Sequence, residues 1–244
     1  MERYGLLGKR LDYSFSKSFF TEKFDQDSIS ATYENIELSD VEKLKLFFSK
    51  EVYNYQGLNV TIPYKQDVIP YLTRLSDDAK AIGAVNTIKV EGKELIGHNT
   101  DAYGFGKSIK PFFRNVHEKA LILGTGGASK AVEYVLENLG VEVFYLSRSP
   151  EGANQFSYDE ANELMINTFK LIVNCTPLGT HPNVDEMPNI PIQFVGKDHL
   201  VVDLIYNPEE TKLLRLAREN DADTMNGLSM LQHQALKAWD IWQS

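Results

Sequence analysis

Short apolar runs recur along the chain, and segments long enough to form a helix separate several of them. The runs are YGLLG, TYENIEL, GLNVTI, KALILG, VEVFYL, KLIVNC and HLVVDLIY. Apolar runs of about four to eight residues indicate buried strands, and strands that alternate with helices are typical of parallel sheets covered by helices. The pattern therefore predicts the α/β class with mostly parallel sheets.

One segment departs from this alternation. VNTIKVEGKELIGHN, from Val85, is typical of a β-hairpin with its turn at Glu91 and Gly92. TDAYGFGKSIKPFF then predicts a helix from Asp101, whose carboxylate can cap backbone N–H groups and is favoured at the positive end of the helix dipole. We therefore expect a domain border near residue 101.

The segment ALILGTGGASKAVEYVLENLGVEVFYLSRS has the order strand, glycine turn, helix, strand. Gly124, Gly126 and Gly127 fall in the turn, where backbone amides and a helix N-terminus can bind a pyrophosphate. Ser129 replaces the third glycine of the usual dinucleotide-binding fingerprint. The context favours a Rossmann-type dinucleotide-binding unit, and a tight turn that binds no ligand is the alternative.

The second strand of this segment ends in Ser147, Arg148 and Ser149. NAD-binding units usually place an acidic residue at this point, on the ribose hydroxyls. An arginine flanked by hydroxyls suits a 2′-phosphate instead, because a guanidinium can donate two parallel hydrogen bonds to it. The segment predicts NADP as the cofactor, with NAD as the alternative.

Two charged residues follow strands elsewhere in the chain. Lys65 lies just beyond the GLNVTI strand, and Asp101 follows the second strand of the predicted hairpin. Strand ends of α/β sheets line clefts, so a carboxylate there could hold an ammonium that passes a proton to a reacting oxygen. A lysine and a helix-capping aspartate without a shared role are the alternative.

Composition limits the class of protein. The chain has 244 residues and a formal net charge of −9, and its scattered basic residues offer no patch for nucleic acid. No run approaches the ~18 apolar residues of a membrane span, and residues 1–10 lack the apolar run of a signal peptide. We therefore expect a cytoplasmic protein that binds neither nucleic acid nor membranes.

Cysteine and histidine usage indicates no disulfide and no metal. Cys175 is the single cysteine, which excludes an intramolecular disulfide, and we expect it to pack without a redox role. The histidines have no metal-ligand spacing. They are His98, His117, His181, His199 and His233.

Six motifs occur in order along nearly the whole chain: GLNVTIPYK, IGAVNTI, GHNTDAYG, LGTGGASKA, NCTPLGT and NGLSMLQHQA. Together they resemble the shikimate dehydrogenase family. The resemblance implies NADPH-dependent reduction of 3-dehydroshikimate to shikimate, a step toward the aromatic amino acids. It also implies a substrate domain formed by residues 1–101 and 228–244, a Rossmann-type NADP domain formed by residues 102–227, and a monomer or homodimer.

The resemblance also assigns roles by matching position. Lys65 is implied as the catalytic acid and base, with Asp101 as its partner. Ser14 and Ser16 match hydroxyls that bind the substrate carboxylate. The implied substrate contacts are Ser14, Ser16, Thr61, Lys65, Asn86, Asp101, Tyr206 and Gln234. The implied cofactor contacts are Asp77, Gly124, Thr125, Gly126, Gly127, Ala128, Ser147, Arg148, Ser149, Leu204 and Gly227.

The chain departs from the family pattern at the predicted phosphate reader. The usual Asn-Arg-Thr is Ser-Arg-Ser, a further basic residue is absent, and Glu151 lies nearby. These changes weaken the 2′-phosphate site. A dual quinate/shikimate dehydrogenase that uses NAD or NADP is therefore the nearest alternative, although the intact pair of serines favours shikimate. A catalytically silent dinucleotide or metabolite sensor is the alternative of another class.

Overall fold

The computed structural model describes residues 1–11 and 14–244. The chain divides into two compact units. Unit 1 comprises Met1–Tyr103 and Gln234–Ser244, and unit 2 comprises Gly104–His233. The sequence predicts domain borders after residue 101 and before residue 228, and the compact units meet after residues 103 and 233. Asp12 and Tyr13 lie outside the described residues.

Unit 1 is built on a mixed six-stranded sheet in the order β2-β1-β3-β5-β6-β4. Strand β1 pairs in parallel with β2 and β3, whereas β5 runs antiparallel to both β3 and β6. The elements are β1 Glu2–Gly8, α1 Phe15–Gln26, β2 Ala31–Glu37, α2 Val41–Lys50, β3 Gly57–Val60, β4 Arg74–Leu75, α3 Asp77–Ile82, β5 Thr87–Glu91, β6 Glu94–His98 and the start of α4 Thr100–Ile109.

The predicted hairpin consists of β5 and β6, but its turn lies one residue later than expected. Glu91 still pairs with Glu94 in the ladder, so the turn is formed by Gly92 and Lys93. Gly92 has φ +62°, a left-handed conformation that glycine adopts without a steric penalty. The position of this glycine therefore determines where the chain reverses.

Aromatic side chains fill one side of the unit 1 sheet. Tyr4 and Tyr33 from the strands pack with Phe20 of α1 and with Trp242, near the end of the last helix, α8 Leu228–Gln243. The Trp242 Nε1–H donates to Ile88 O at 3.0 Å. The indole occupies the space where Gly57 would carry a Cβ atom. Trp242 is thus part of the hydrophobic core of unit 1.

Unit 2 is built on a six-stranded sheet in the order β12-β11-β10-β7-β8-β9, and all of its pairs are parallel. This is the doubly wound order in which ligands bind where the strand order reverses, between β7 and β10. The predicted α/β class with a Rossmann-type unit is confirmed. The elements are β7 Lys119–Leu123, α5 Gly127–Asn138, β8 Glu142–Ser147, β9 Gln155–Ser157, α6 Glu163–Thr168, β10 Leu171–Asn174, β11 Leu200–Asp203, α7 Lys212–Glu219 and β12 Asp223–Met225.

Among the described helices, none combines the length and the apolar character that crossing a membrane requires.

Candidate functional site

Lys65 is held in place by the segment that follows β3. The four residues of β3 are buried, and Tyr64 next to the lysine is buried as well. The Tyr64 hydroxyl donates to Leu38 O at 2.6 Å, and the Lys65 carbonyl accepts from Val85 N at 2.7 Å. The side chain is consequently the part of Lys65 that remains available for a specific contact.

Asp101 lies in the first turn of α4 and does not cap it. Asn99 is the capping residue, because its Oδ1 accepts from Ala102 N at 3.1 Å. The expectation that Asp101 caps this helix is wrong. Its carboxylate accepts from Lys65 Nζ at 2.6 Å on Oδ2 and from Asn86 Nδ2 at 2.8 Å on Oδ1.

The ion pair between Lys65 and Asp101 is largely removed from water, with side-chain exposures of 15% and 11%. Low exposure reduces screening and makes each hydrogen bond to the carboxylate stronger. The sequence predicted both residues, and the structure brings them into direct contact. An ammonium in this position can donate to a bound oxygen while the carboxylate keeps it oriented.

Asn86 connects this ion pair to further buried polar groups. Its Oδ1 accepts from Thr100 N at 2.7 Å, and its amide nitrogen lies 3.4 Å from Gln234 Oε1. Thr87 Oγ1 lies 3.1 Å from Thr100 Oγ1. Predicted contacts Asn86 and Gln234 thus share one cluster with Asp101. Thr87 and Thr100 belong to it as well and were not predicted.

The two serines of the S-x-S pair have different local roles. Ser14 caps α1, accepting from Lys17 N at 3.1 Å. Ser16 lies within the helix and is buried. Thr61 follows β3 directly, and its amide donates to Leu7 O at 2.9 Å. All three residues belong to segments that begin where β1 or β3 ends.

The glycine loop of unit 2 follows β7. Gly124 has φ +93°, and a Cβ atom on it would lie 2.9 Å from Thr176 Cγ2. A larger residue is therefore disfavoured both by the backbone conformation and by this contact. Gly126 occupies the N-cap of α5 without a side-chain cap. Ser129 folds its hydroxyl back onto Gly126 O at 2.6 Å. The amides at the start of α5 therefore keep their capacity to bind an anion.

A cleft of about 950 Å³ lies beside this loop. Its lining includes Gly124 and Ser147, the exposed guanidinium of Arg148, and the carboxylate-bearing Glu151. Arg148 makes no ion pair with any residue of the described chain. Ser149 N donates to Ser147 Oγ at 3.1 Å. The cleft thus combines an anion-binding helix terminus with one unpaired cation.

Thr176, which also lines the cleft, belongs to a polar network that the sequence did not predict. Asn174 Oδ1 accepts from the Thr176 hydroxyl at 2.7 Å, and Asn174 Nδ2 donates to Asp203 Oδ1 at 3.0 Å. Asp203 is fully buried, and this burial raises the pKa of its carboxyl. Burial likewise raises the pKa of Cys175, which disfavours its thiolate and agrees with a packing role.

The remaining predicted residues have separate positions. The backbone of Leu204 packs so closely on Gly227 that a Cβ atom there would collide with it. Tyr206 is half-buried, and burial raises the pKa of its phenol. Asp77 is exposed in the first turn of α3 in unit 1. Among residues 1–11 and 14–244, no group of three His, Cys, Asp or Glu side chains is arranged to hold a metal.

Comparisons with known proteins agree over both units. The model of the shikimate dehydrogenase substrate binding domain matches residues 6–88. A relative from Clostridium beijerinckii, named shikimate dehydrogenase (NADP(+)), is 38% identical over 100% of this chain and 92% of its own length.

Solved structures of two dehydrogenases are also similar to this chain over nearly its whole length. The crystal structure of shikimate dehydrogenase from Aquifex aeolicus has a TM-score of 0.89 at 36% identity, and the match covers 99% of this chain and 92% of that one. Quinate dehydrogenase from Corynebacterium glutamicum, in complex with NAD, has a TM-score of 0.88 at 28% identity, with 99% and 93% covered.

Proposed function

Because the chain belongs to the shikimate dehydrogenase family, we propose that it reduces 3-dehydroshikimate reversibly to shikimate with NADPH, with Lys65 as proton donor and acceptor and Asp101 as its partner. The Clostridium beijerinckii relative, matched over this whole chain, carries the enzyme and its cofactor in its name. The predictions of an oxidoreductase and of NADP are confirmed. Interconversion of shikimate and its dehydro form belongs to aromatic amino-acid biosynthesis.

The observation that carries the proposed mechanism is the ion pair of Lys65 and Asp101 at 2.6 Å. In the reducing direction the Lys65 ammonium donates a proton to the carbonyl oxygen that becomes the C3 hydroxyl. In the oxidising direction the neutral amine takes that proton back. Asp101 holds the ammonium in one orientation, and its second oxygen is satisfied by Asn86, so the lysine lies ready before substrate arrives.

The residues of the unit 2 cleft fit a dinucleotide phosphate. Gly124 leaves room where a Cβ atom would meet Thr176, and the amides of Gly127 and Ala128 lie at the uncapped start of α5. These groups would hold the pyrophosphate, and Arg148 with its flanking serines would hold the 2′-phosphate. NADPH, when bound, supplies the hydride.

The other assignments rest on the family resemblance. We expect Ser14 and Ser16 to bind the substrate carboxylate, and Thr61, Asn86 and Gln234 to bind its hydroxyls. The burial of Asn86 and Gln234 beside Asp101 supports this expectation. Contacts through Asp77, Leu204, Tyr206 and Gly227 stay predictions.

A second candidate is a dual quinate/shikimate dehydrogenase that uses NAD as well as NADP. Two observations favour it: Glu151 lines the cofactor cleft together with Arg148, and a quinate dehydrogenase bound to NAD has a very similar structure. A carboxylate in this cleft disfavours the 2′-phosphate and leaves the ribose hydroxyls of NAD unaffected.

One set of assays on the purified protein distinguishes these candidate functions. Shikimate and quinate are each offered with NADP⁺ and with NAD⁺, and formation of the reduced nicotinamide is followed by absorbance. We expect the highest kcat/KM for shikimate with NADP⁺. Comparable rates for quinate and NAD⁺ identify the dual enzyme, and binding without turnover of either substrate identifies a sensor and refutes the proposal.

A further inference from the structure

Asp203 is a buried carboxylate that no cation balances. It is the last residue of β11 and lies directly opposite Asn174, the last residue of the parallel neighbour β10. Both side chains are 0% exposed. Within the described part of the chain, Asp203 forms no ion pair. Burial of a carboxylate is costly, so the groups that Asp203 holds indicate what it contributes.

The Asn174 amide has one possible orientation. Thr176 N can only donate, and it donates to Asn174 Oδ1 at 3.0 Å, so the oxygen of the carboxamide must face Thr176. The nitrogen at the other end consequently faces Asp203 and donates to its Oδ1 at 3.0 Å. Asp203 therefore supplies the acceptor that this orientation requires.

The two oxygens of Asp203 hold different parts of unit 2. Oδ1 accepts from Asn174 and also from Ile205 N at 3.1 Å. Oδ2 accepts from the Thr211 hydroxyl at 2.7 Å, and Thr211 is the N-cap of α7, where its side chain accepts from Leu214 N. One oxygen is thus directed to the end of β10 and the other to the start of a helix.

Asn174 in turn holds a segment that lines the cofactor cleft. The Thr176 hydroxyl donates to Asn174 Oδ1 at 2.7 Å and accepts from Leu178 N at 3.3 Å. Thr176, Pro177 and Leu178 line the cleft beside Gly124. The Thr176 methyl group lies against that glycine, 2.9 Å from where a Cβ atom would be. The position of this wall therefore depends on the Asn174 oxygen.

We propose that Asp203 is a positioning residue for the dinucleotide: by accepting from Asn174 Nδ2, it keeps the Asn174 oxygen on Thr176 and holds residues 176–178 in place. This inference rests on the proposed function. Without Asp203, the Asn174 amide nitrogen is buried and unpaired, and turning it to another partner takes the oxygen away from Thr176. Arg148 is not part of this network, so NADP⁺ and NAD⁺ should be affected equally.

The test compares Asp203→Ala with Thr211→Val. Calorimetry measures the Kd for NADP⁺ and for NAD⁺, and denaturant unfolding measures stability. Asp203→Ala should weaken binding of both cofactors by about three- to tenfold, which corresponds to the loss of about one hydrogen bond. Thr211→Val removes only the hydrogen bond to Oδ2 and the cap of α7. It should lose stability and keep both affinities.

Two further variants test the route through Asn174. In Asp203→Asn the new amide oxygen can still accept from Asn174, and the new amide nitrogen can donate to Thr211, whose hydroxyl can rotate. This variant should keep NADP⁺ affinity within about twofold. Asn174→Ala should weaken both cofactors as Asp203→Ala does, and the double variant should lose no more than either single one, because both substitutions break the same link.

Four results overturn the inference: wild-type cofactor affinity in Asp203→Ala or in Asn174→Ala, losses that add in the double variant, an equal loss in Thr211→Val, and a loss in Asp203→Asn as large as in Asp203→Ala. If Asp203→Ala does not fold, Asn174→Ala and Asp203→Asn give the same test. A wild type that binds NADP⁺ without oxidising shikimate refutes the proposed function alone, and a wild type that binds neither cofactor refutes both.

Discussion

The proposed substrate site of unit 1 and the cofactor cleft of unit 2 are constructed in opposite ways. In unit 1 the reactive groups are buried side chains that satisfy one another, as in the contacts among Lys65, Asp101 and Asn86. In unit 2 the proposed pyrophosphate site is backbone, at Gly124 and the start of α5, and the charged residues among the described lining of the cleft, Arg148 and Glu151, are exposed.

Because of this difference, we expect unit 1 to determine the turnover rate and unit 2 to determine the affinity for the cofactor. A buried network is ordered during folding, so the geometry needed for proton transfer exists before substrate binds. Exposed charges remain screened by water and salt, so each of them changes the affinity for a ligand only modestly. Substitutions in unit 1 are therefore expected to change turnover, and substitutions in unit 2 to change cofactor binding.

The largest expected effect tests the unit 1 half of this comparison. Lys65→Ala removes the proton donor and should lower kcat by about 10²- to 10⁴-fold, because proton transfer is needed in the transition state. The Kd for NADP⁺ should stay within about twofold, since the cleft lies in the other unit. Steady-state kinetics and calorimetry measure the two quantities.

Lys80→Ala is the matched control, since Lys80 is an exposed lysine on α3 of the same unit. It should retain wild-type kcat. A Lys65→Ala enzyme with near-normal turnover contradicts the assignment of this residue as proton donor.

The next effect tests the backbone construction of the cleft. Gly124→Ala places a Cβ atom beside Thr176 in a left-handed backbone conformation, which should weaken NADP⁺ binding by about tenfold and lower the free energy of unfolding by about 1–2 kcal/mol. Calorimetry and denaturant unfolding measure the two changes.

Gly140→Ala is the control that separates the effect of backbone strain from an effect on the cofactor cleft. Gly140 also has a positive φ of +80°, but a Cβ atom there meets nothing within 4 Å. This variant should lose stability and keep its NADP⁺ affinity. Equal losses of NADP⁺ affinity in both variants show that Gly124 contributes only to folding.

A smaller effect concerns the exposed charges. Glu151→Lys removes a carboxylate from the cleft that holds Arg148 and should tighten NADP⁺ binding by about two- to fivefold, with little change for NAD⁺. The gain should shrink as salt increases. Glu137→Lys, at the exposed end of α5, changes the net charge equally and should affect neither cofactor. An equal gain for NAD⁺ contradicts a role in reading the 2′-phosphate.

The smallest effect concerns the pH dependence of stability. Burial lowers the pKa of His199 in unit 2 below its ordinary value of 6.5, because loss of contact with water disfavours the charged ring. The folded state then binds fewer protons than the unfolded state, so this stabilisation is complete above pH 6.5 and is lost as the pH falls through the lowered value.

Denaturant unfolding at pH 7.5 and 5.5 checks this expectation. The wild type should be less stable at the lower pH, and His199→Gln, which does not titrate, should show a smaller difference between the two pH values. A wild type of equal stability at both pH values contradicts it.

Much of the fold is predictable because apolar runs encode it directly. The strands that the sequence did not predict are β4, β9 and β12, which have two or three residues each and are edge strands of their sheets. Segments this short carry no periodicity, and their pairing depends on the neighbouring strand. The glycine loop was predictable because its spacing has a local cause.

The site was predictable only in part, for a physical reason. The sequence located Lys65 and Asp101 at the ends of strands, but their contact depends on the register of β3 with β5, in which Asn59 lies opposite Thr87. Thr87, which joins the cluster around Asn86, is an ordinary strand residue with no local signal. The capping role assigned to Asp101 was wrong because Asn99, two residues earlier, forms that hydrogen bond.

The packing of Trp242 has a consequence for the order in which the protein is made. The indole fills the space beside Gly57 and bonds to Ile88, so the aromatic core of unit 1 stays incomplete until the last helix has left the ribosome. All of unit 2 is synthesised before that point. The first 103 residues therefore lack part of their aromatic core during the synthesis of unit 2. A chain that stops before Trp242 leaves Tyr4 and Tyr33 without the indole that packs against them.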